Sequence, residues 1–262
     1  MGGTYIIGDI HGYCSRLQSL LRDAALIDDD DHWSGGDATL CFIGDYFDRG
    51  PDGVGVVDLI MRLEKEASAA GGRVYGLLGN HEVFILAARR FQGKYDNFYS
   101  DWLTYGGQRD DMARLTDAHV AWLERCPAML QLENRLLIHS DAMFYVNYGT
   151  RVETVNTTIA NILQSDSPLE WARLSDAFIE RFTFQNRSRI GVKSGGTERA
   201  RSLLLTFGGK QIIHGHTPIA VMTGKNPHTV NDALVYANKL VVDVDGGLYQ
   251  GGPGFVYELP TL

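Results

Sequence analysis

Short apolar runs that end in glycine and polar residues recur along the first half of the chain. Thr4-Tyr5-Ile6-Ile7 leads into Gly8-Asp9-Ile10-His11-Gly12, and Leu40-Cys41-Phe42-Ile43 leads into Gly44-Asp45-Tyr46-Phe47-Asp48-Arg49. Val74-Tyr75-Gly76-Leu77-Leu78 leads into Gly79-Asn80-His81-Glu82. Runs of this length, bounded by turn residues, read as buried strands. Helical spacing follows each one. Leu17, Leu20, Leu21 and Ala24 share a face that Ser15 is placed to cap. Val56, Val57, Ile60 and Leu63 form a second stripe, and Val83, Leu86 and Ala87 a third. Asp9 to Asp45 is 36 residues and Asp45 to Asn80 is 35, about the length of one strand–helix–strand unit. Parallel strands would bring the three polar clusters to one sheet edge, where α/β folds bind ligands.

The pattern changes over residues 91–117. Tyr95, Phe98, Tyr99, Trp102 and Tyr105 stand among Gly and Asp without a clean period. Irregular structure beside a site is expected there, with a core-lining aromatic cluster as the equal alternative. A helix near 118–124 and a hairpin-like stretch lead to Arg135-Leu136-Leu137-Ile138, a strand delivering His139. Residues 144–190 read as helical throughout, with stripes Val155, Ile159, Ile162, Leu163 and Leu174, Phe178, Ile179, Phe182. Gln211-Ile212-Ile213 carries His214, Gly215, His216, Thr217 and Pro218, and further strands are expected at 240–244 and 255–259. With no linker or low-complexity tract, the chain is expected to form a single domain over 1–262 with a helical cap-like insertion at about 144–190.

Charge and cysteine usage narrow the partners. A net charge of -8 disfavours a nucleic-acid backbone, which needs a Lys/Arg surface. It leaves room for an anionic small substrate, because a metal can reverse the local field. Cys14, Cys41 and Cys126 have neither zinc nor disulfide spacing, as expected of idle thiols in a reducing compartment. No basic-then-apolar leader is seen and no apolar run approaches the ~18 residues of a membrane span, so a cytoplasmic protein without membrane contact is expected. Asp28-Asp29-Asp30-Asp31 lacks a later Glu at calcium-loop spacing and reads as a solvated loop.

The strand-end polar residues are Asp9, His11, Asp45, Asp48, Arg49, Asn80, His81, His139, His214 and His216. Asp, His and Asn together suit divalent manganese, iron or zinc. They supply enough oxygen and nitrogen for two ions sharing one carboxylate, the arrangement that clamps the oxygens of a phosphate ester. Arg49 adds a two-pronged grip on phosphate. Taken singly, each residue has a plainer reading: a structural His, a turn-forming Asn80, an Arg49–Asp48 turn ion pair. Five clusters at successive strand ends outweigh those readings.

Gly8-Asp9-Ile10-His11-Gly12, Gly44-Asp45-Tyr46-Phe47-Asp48-Arg49-Gly50, Gly79-Asn80-His81-Glu82, His139 and Gly215-His216-Thr217-Pro218 resemble the calcineurin-like metallophosphoesterases, in order from Gly8 to Pro218. More narrowly they resemble the phosphoprotein-phosphatase (serine/threonine phosphatase-like) branch with its bacterial and phage members. The resemblance implies an α/β fold, a two-sheet β-sandwich flanked by helices, with a dinuclear metal site at the carboxyl ends of the strands and the tail strands in the second sheet. It implies Asp9, His11 and a bridging Asp45 on one metal, and Asp45, Asn80, His139 and His216 on the other. Two divalent ions follow, manganese first and iron or zinc as alternatives. His81 and Asp48 match the catalytic acid dyad, Arg49 a phosphate-binding arginine, and Arg187, ahead of Arg189, is the candidate for a second one. The activity implied is hydrolysis of phosphomonoesters by metal-bound hydroxide, first of all on phosphorylated protein, with a small phosphoester such as diadenosine tetraphosphate as the alternative substrate. Pro218 stands where many relatives carry a second histidine, which leaves the first metal with fewer protein ligands. His214 is then expected to be structural, and Asp141 an extra carboxylate behind the ligands.

Overall fold

The computed structural model describes residues 2–186 and 195–260. The expected repeat of strand and helix opens the fold: β1 (Thr4–Ile7), α1 (Cys14–Asp23), β2 (Thr39–Phe42), α2 (Gly53–Ala69), β3 (Arg73–Gly76) and α3 (Asn80–Arg90). β1 pairs with β2 and β2 with β3, both in parallel. All three polar clusters therefore leave the sheet at one edge, as the spacing predicts.

A second sheet follows α4 (Asp96–Thr104), α5 (Arg109–Arg114) and α6 (Asp117–Leu123). Its strands are β4 (Met129–Leu132), β5 (Arg135–Ile138), β6 (Gln211–His214), β7 (Leu234–Tyr236) and β8 (Val241–Asp243), in the order β4-β5-β6-β8-β7. Between β5 and β6 lie α7 (Val152–Leu163), α8 (Pro168–Phe178) and α9 (Gly196–Phe207), and α10 (Ile219–Thr223) follows β6. Both sheets mix parallel and antiparallel pairs. Ile6, Cys41, Leu137, Ile213 and Val242 pack together between the sheets, while the alternate residues Ile7, Phe42, Leu136, Ile212 and Val241 join the helix-covered core. This period-two division makes each central strand apolar on both faces, the α/β sandwich flanked by helices that the sequence motifs imply.

Several local expectations change. The last strand, β9 (Tyr257–Glu258), pairs antiparallel with β1 in the first sheet, not the second. β1 has β2 on one side only, and the returning tail satisfies its other edge. β7 escaped the sequence reading because it is an edge strand with no fully buried side chain, unlike the equally short β8. Residues 91–117 fold into α4 and α5 rather than irregular structure; Phe98 and Trp102, four apart, bury one face of α4 and justify the core-lining alternative. α1 begins at Cys14 after Tyr13, with no side-chain cap, so Ser15 does not serve as one. Asp28 does organise a turn, accepting the amides of Asp30 and His32 in an exposed loop. No helix among the described residues is long and apolar enough to cross a membrane.

Candidate metal centre

The loops after β1, β2, β5 and β6 and the start of α3 converge. Asp9, His11, Asp45, Asp48, Asn80, His81, His139 and His216 are all buried. Five residues of this region hold left-handed backbone: His11 (φ 50), Asp45 (φ 55), Asp48 (φ 69), Arg49 (φ 66) and His216 (φ 69). Each such non-glycine residue costs roughly 1–3 kcal/mol and persists only where neighbours over-determine it. The determinants are visible. Ile10 and His11 amides both donate to the Asp45 carbonyl, and Gly50 donates to that of His11. The buried Glu82 carboxylate accepts the amides of Asp45, Tyr46 and Gly79, each at 2.8 Å. A Cβ on Gly79 would sit 2.4 Å from Asp45 Oδ1, so glycine alone permits this approach.

Four donor atoms from four elements meet on one side of Asp45. His139 Nε2 lies 3.2 Å from Asp45 Oδ1 and 3.0 Å from Asn80 Oδ1. His216 Nδ1 lies 2.8 Å from the same Asn80 oxygen. His139 Nδ1 faces the Ile43 carbonyl at 3.0 Å, which only accepts, so Nδ1 carries a proton and Nε2 points its lone pair inward. Lone pairs and carboxylate oxygens thus face one another with nothing positive between them, unless a second proton on His139 or a cation is supplied. Burial works against charge on His139, yet Asp45 and Glu82 hold its pKa above the ordinary value. Asp45 is itself held well below the usual carboxylate range: burial opposes this, but His139 and His81 prevail. The donor set fits a divalent cation.

On the other side, His11 Nε2 is 3.6 Å from Asp45 Oδ2 and 3.9 Å from Asp9 Oδ2. His11 Nδ1 is fixed by the Phe47 carbonyl at 3.0 Å, which again turns Nε2 inward. Burial pushes Asp9 well above its usual value, reinforced by Asp245 and Asp45. Asp45 therefore has one oxygen toward each pocket. Donor atoms of His11, Asp45 and His81 fall within 4.8 Å of one another, as do those of Asp45, His139 and His216.

His81 has a different set of partners. Its Nδ1 donates to Asp48 Oδ2 at 2.6 Å, and its Nε2 accepts from Arg49 Nη2 at 3.2 Å. Arg49 Nη1 reaches His11 Nε2 at 3.0 Å, and the guanidinium lies 4.0 Å above the Tyr249 ring. Arg49 thus bridges the two histidines and forms no turn ion pair with Asp48. Burial brings His81 down to about 4 and raises Asp48, against the Trp102 hydrogen bond that lowers it. His214, as expected of a structural residue, bonds Tyr236 Oη and the Gly215 carbonyl, both at 2.8 Å. Asp141 accepts from Thr217 Oγ1 at 2.7 Å and the Phe182 amide at 2.6 Å, tying the loops of His139 and His216 together. Arg187 and Arg189 lie outside the described residues. Sequence reasoning missed the roles of Glu82, Trp102, Tyr249 and Asp245. Glu82 carried a signal in its place in the third polar cluster, and Trp102 one in the aromatic run beside the expected site.

The family description "Calcineurin-like phosphoesterase" matches residues 4–220, and the chain belongs to that family. It is 36% identical over 77 residues to Shewanella-like protein phosphatase 2 of Arabidopsis thaliana, covering 29% of this chain and 20% of the relative. It is 31% identical over 144 residues to a symmetrical bis(5'-nucleosyl)-tetraphosphatase of Ralstonia nicotianae, covering 53% of this chain and 42% of the relative. The matched stretches thus span less than half of either relative. A cold-active protein tyrosine phosphatase structure superposes with a TM-score of 0.72 at 20% identity, covering 98% of this chain and 73% of that one, which shows a shared fold.

Proposed function

We propose that this chain is a metal-dependent phosphoester hydrolase acting on phosphomonoesters, first of all phosphoserine or phosphothreonine in proteins. The observation that carries the reading is the division of Asp45 between two pockets, Oδ1 toward Asn80, His139 and His216 and Oδ2 toward His11. Asp9, His11 and Asp45 would hold one ion, and Asp45, Asn80, His139 and His216 the other, with manganese as the first choice. When bound, such an ion pair supplies Lewis acidity and acidifies a water at neutral pH. The chain's own groups do the rest. Arg49 grips phosphate oxygens and, in doing so, frees His81 Nε2 to take up a proton from solvent and pass it to the departing oxygen, with Asp48 facing the imidazolium through Nδ1. Asp48 holds the imidazole tautomer and orientation through Nδ1. The helices after β5, with α8 packed against α3, act as a cap on one domain.

A second reading, cleavage of a dinucleoside polyphosphate, is favoured by one feature beside His81. Phe84 stacks on Tyr105 with centroids 4.5 Å apart, on the wall of a cavity of about 200 Å³ that Phe98, Ile179 and the acidic Asp101 and Asp176 also line. An aromatic base would stack there. The test is kcat/KM of the manganese-loaded chain on a phosphoserine peptide against diadenosine tetraphosphate. A ratio of at least about tenfold for the peptide is expected, and the reverse ratio would transfer the assignment.

A further inference from the structure

β8 ends in a carboxylate pair that the ligand sets above do not include. Asp243 closes the strand and Asp245 follows, just before Gly246 and Gly247. Both side chains are fully buried. Asp243 Oδ1 accepts the Asp245 amide and Asp245 Oδ1 the Gly247 amide, each at 2.9 Å. The Oδ2 of each meets no donor. An unsatisfied buried oxygen costs about 1–3 kcal/mol, more when charged, and asks for a partner.

The backbone around Asp245 is bound to the first pocket. A Cβ on Gly8 would stand 2.2 Å from the Val244 carbonyl oxygen and 3.0 Å from Asp245 Cα, so the Asp9 loop and the end of β8 touch through a glycine. The Ile219 amide donates to the Asp245 carbonyl at 3.0 Å, fixing Asp245 to the turn that carries His216. Asp245 acts on Asp9 more strongly than any other charge does, and it feels Asp45 and Arg49 in turn. The two backbone contacts come from the loop after β1 and the turn after β6.

Ligand supply is uneven between the pockets. Asp45, Asn80, His139 and His216 serve the second, whereas the first has Asp9, His11 and Asp45. The Gly-His-Thr-Pro turn adds nothing to it: Thr217 Oγ1 is used on Asp141, and Pro218 has no donor atom to give. Asp245, with a buried oxygen that meets no donor, therefore sits on backbone that touches the Asp9 loop, on the pocket that is short of a ligand. Three carboxylates in one unsolvated pocket are mutually destabilising without a cation, and with one they form an oxygen-rich shell.

We propose that Asp245 is the fourth protein ligand of the first metal pocket, its Oδ2 joining Asp9, His11 and Asp45 around a divalent ion. Asp243 is a positioning residue that aims it through the Asp245 amide. The proposal rests on the two-metal reading of the previous subsection.

Manganese binding to the full chain, stripped by chelation and titrated calorimetrically with elemental analysis, tests it. Wild type is expected to take two ions, and His139→Ala to lose the second. Asp245→Asn should keep the second and bind the first at least about tenfold more weakly, the lower bound for disturbing even an outer partner of a metal. The metal-free Asp245→Asn protein should melt no lower than wild type, since one unpartnered buried charge is gone, while its manganese-induced rise in Tm shrinks. Asp245→Ser repeats the measurement should the amide fold poorly. First-ion affinity within tenfold of wild type in both variants would overturn the proposal. Wild type taking fewer than two ions would instead overturn the two-metal reading itself.

Discussion

Trp102 Nε1 donates a hydrogen bond to Asp48 Oδ1 at 2.8 Å, with both side chains fully buried. The other Asp48 oxygen receives His81 Nδ1, so α4 and the start of α3 hold one carboxylate between them. Trp102→Phe keeps most of the packing and removes the donor. It is expected to lower kcat on phosphoserine about ten- to a hundredfold, in line with ~1.5–3 kcal/mol for a hydrogen bond to a charged group, with metal content unchanged. Loss of manganese together with activity would show that Trp102 supports the ligands rather than the dyad.

His81→Asn separates proton donation from metal binding. A general acid contributes ~10²–10⁴-fold, most of all where the leaving group is poor. The variant is expected to lose far more kcat/KM on phosphoserine than on p-nitrophenyl phosphate, because nitrophenolate departs without a proton. Asp48→Asn should show the same bias more weakly, and Asp45→Asn should depress both esters alike. Equal losses for His81→Asn on the two esters would make His81 a structural residue.

Arg49 touches His11 and His81 through its guanidinium and rests on Tyr249. Arg49→Ala is expected to weaken inhibition by phosphate or vanadate at least tenfold while two ions still bind. Arg49→Lys should restore little of it, since an ammonium offers no planar fork. Inhibition constants beside elemental analysis of the same samples decide the matter.

Asp141 gives a pH signature in the metal-free protein. Burial pushes its carboxyl up to about 7 from an ordinary 3.8, against the hydrogen bonds of Thr217 and Phe182. The fold thus binds this proton more tightly than the unfolded chain does. Its contribution is full below about pH 4, falls as pH rises, and is gone above about pH 7. Asp141→Asn is expected to narrow the difference in Tm between pH 5 and pH 8. An unchanged or wider difference would show that Asp141 stays ionised in the fold.

Much of this protein follows from sequence alone. Apolar runs such as Leu40-Cys41-Phe42-Ile43 must be buried, and the glycine after each must end the strand. Spacings of 36 and 35 residues then make parallel pairing the natural arrangement, which gathers Asp9, Asp45 and Asn80 at one edge. The candidate ligands were legible because they sit next to strong local signals.

Tertiary structure alone decided the rest. Trp102 meets Asp48 across 54 residues, and Asp245 meets the Asp9 loop across more than 200, contacts with no local period. The return of β9 to β1 in the first sheet depends on which edge is open, a property of the assembled sheets. Tautomers are settled by distant carbonyls: Ile43 for His139 and Phe47 for His11. The sequence determines which residues can bind a metal, because that is chemistry carried by each side chain. Which lone pair points inward depends on burial and on hydrogen bonds that exist only once the chain has closed on itself.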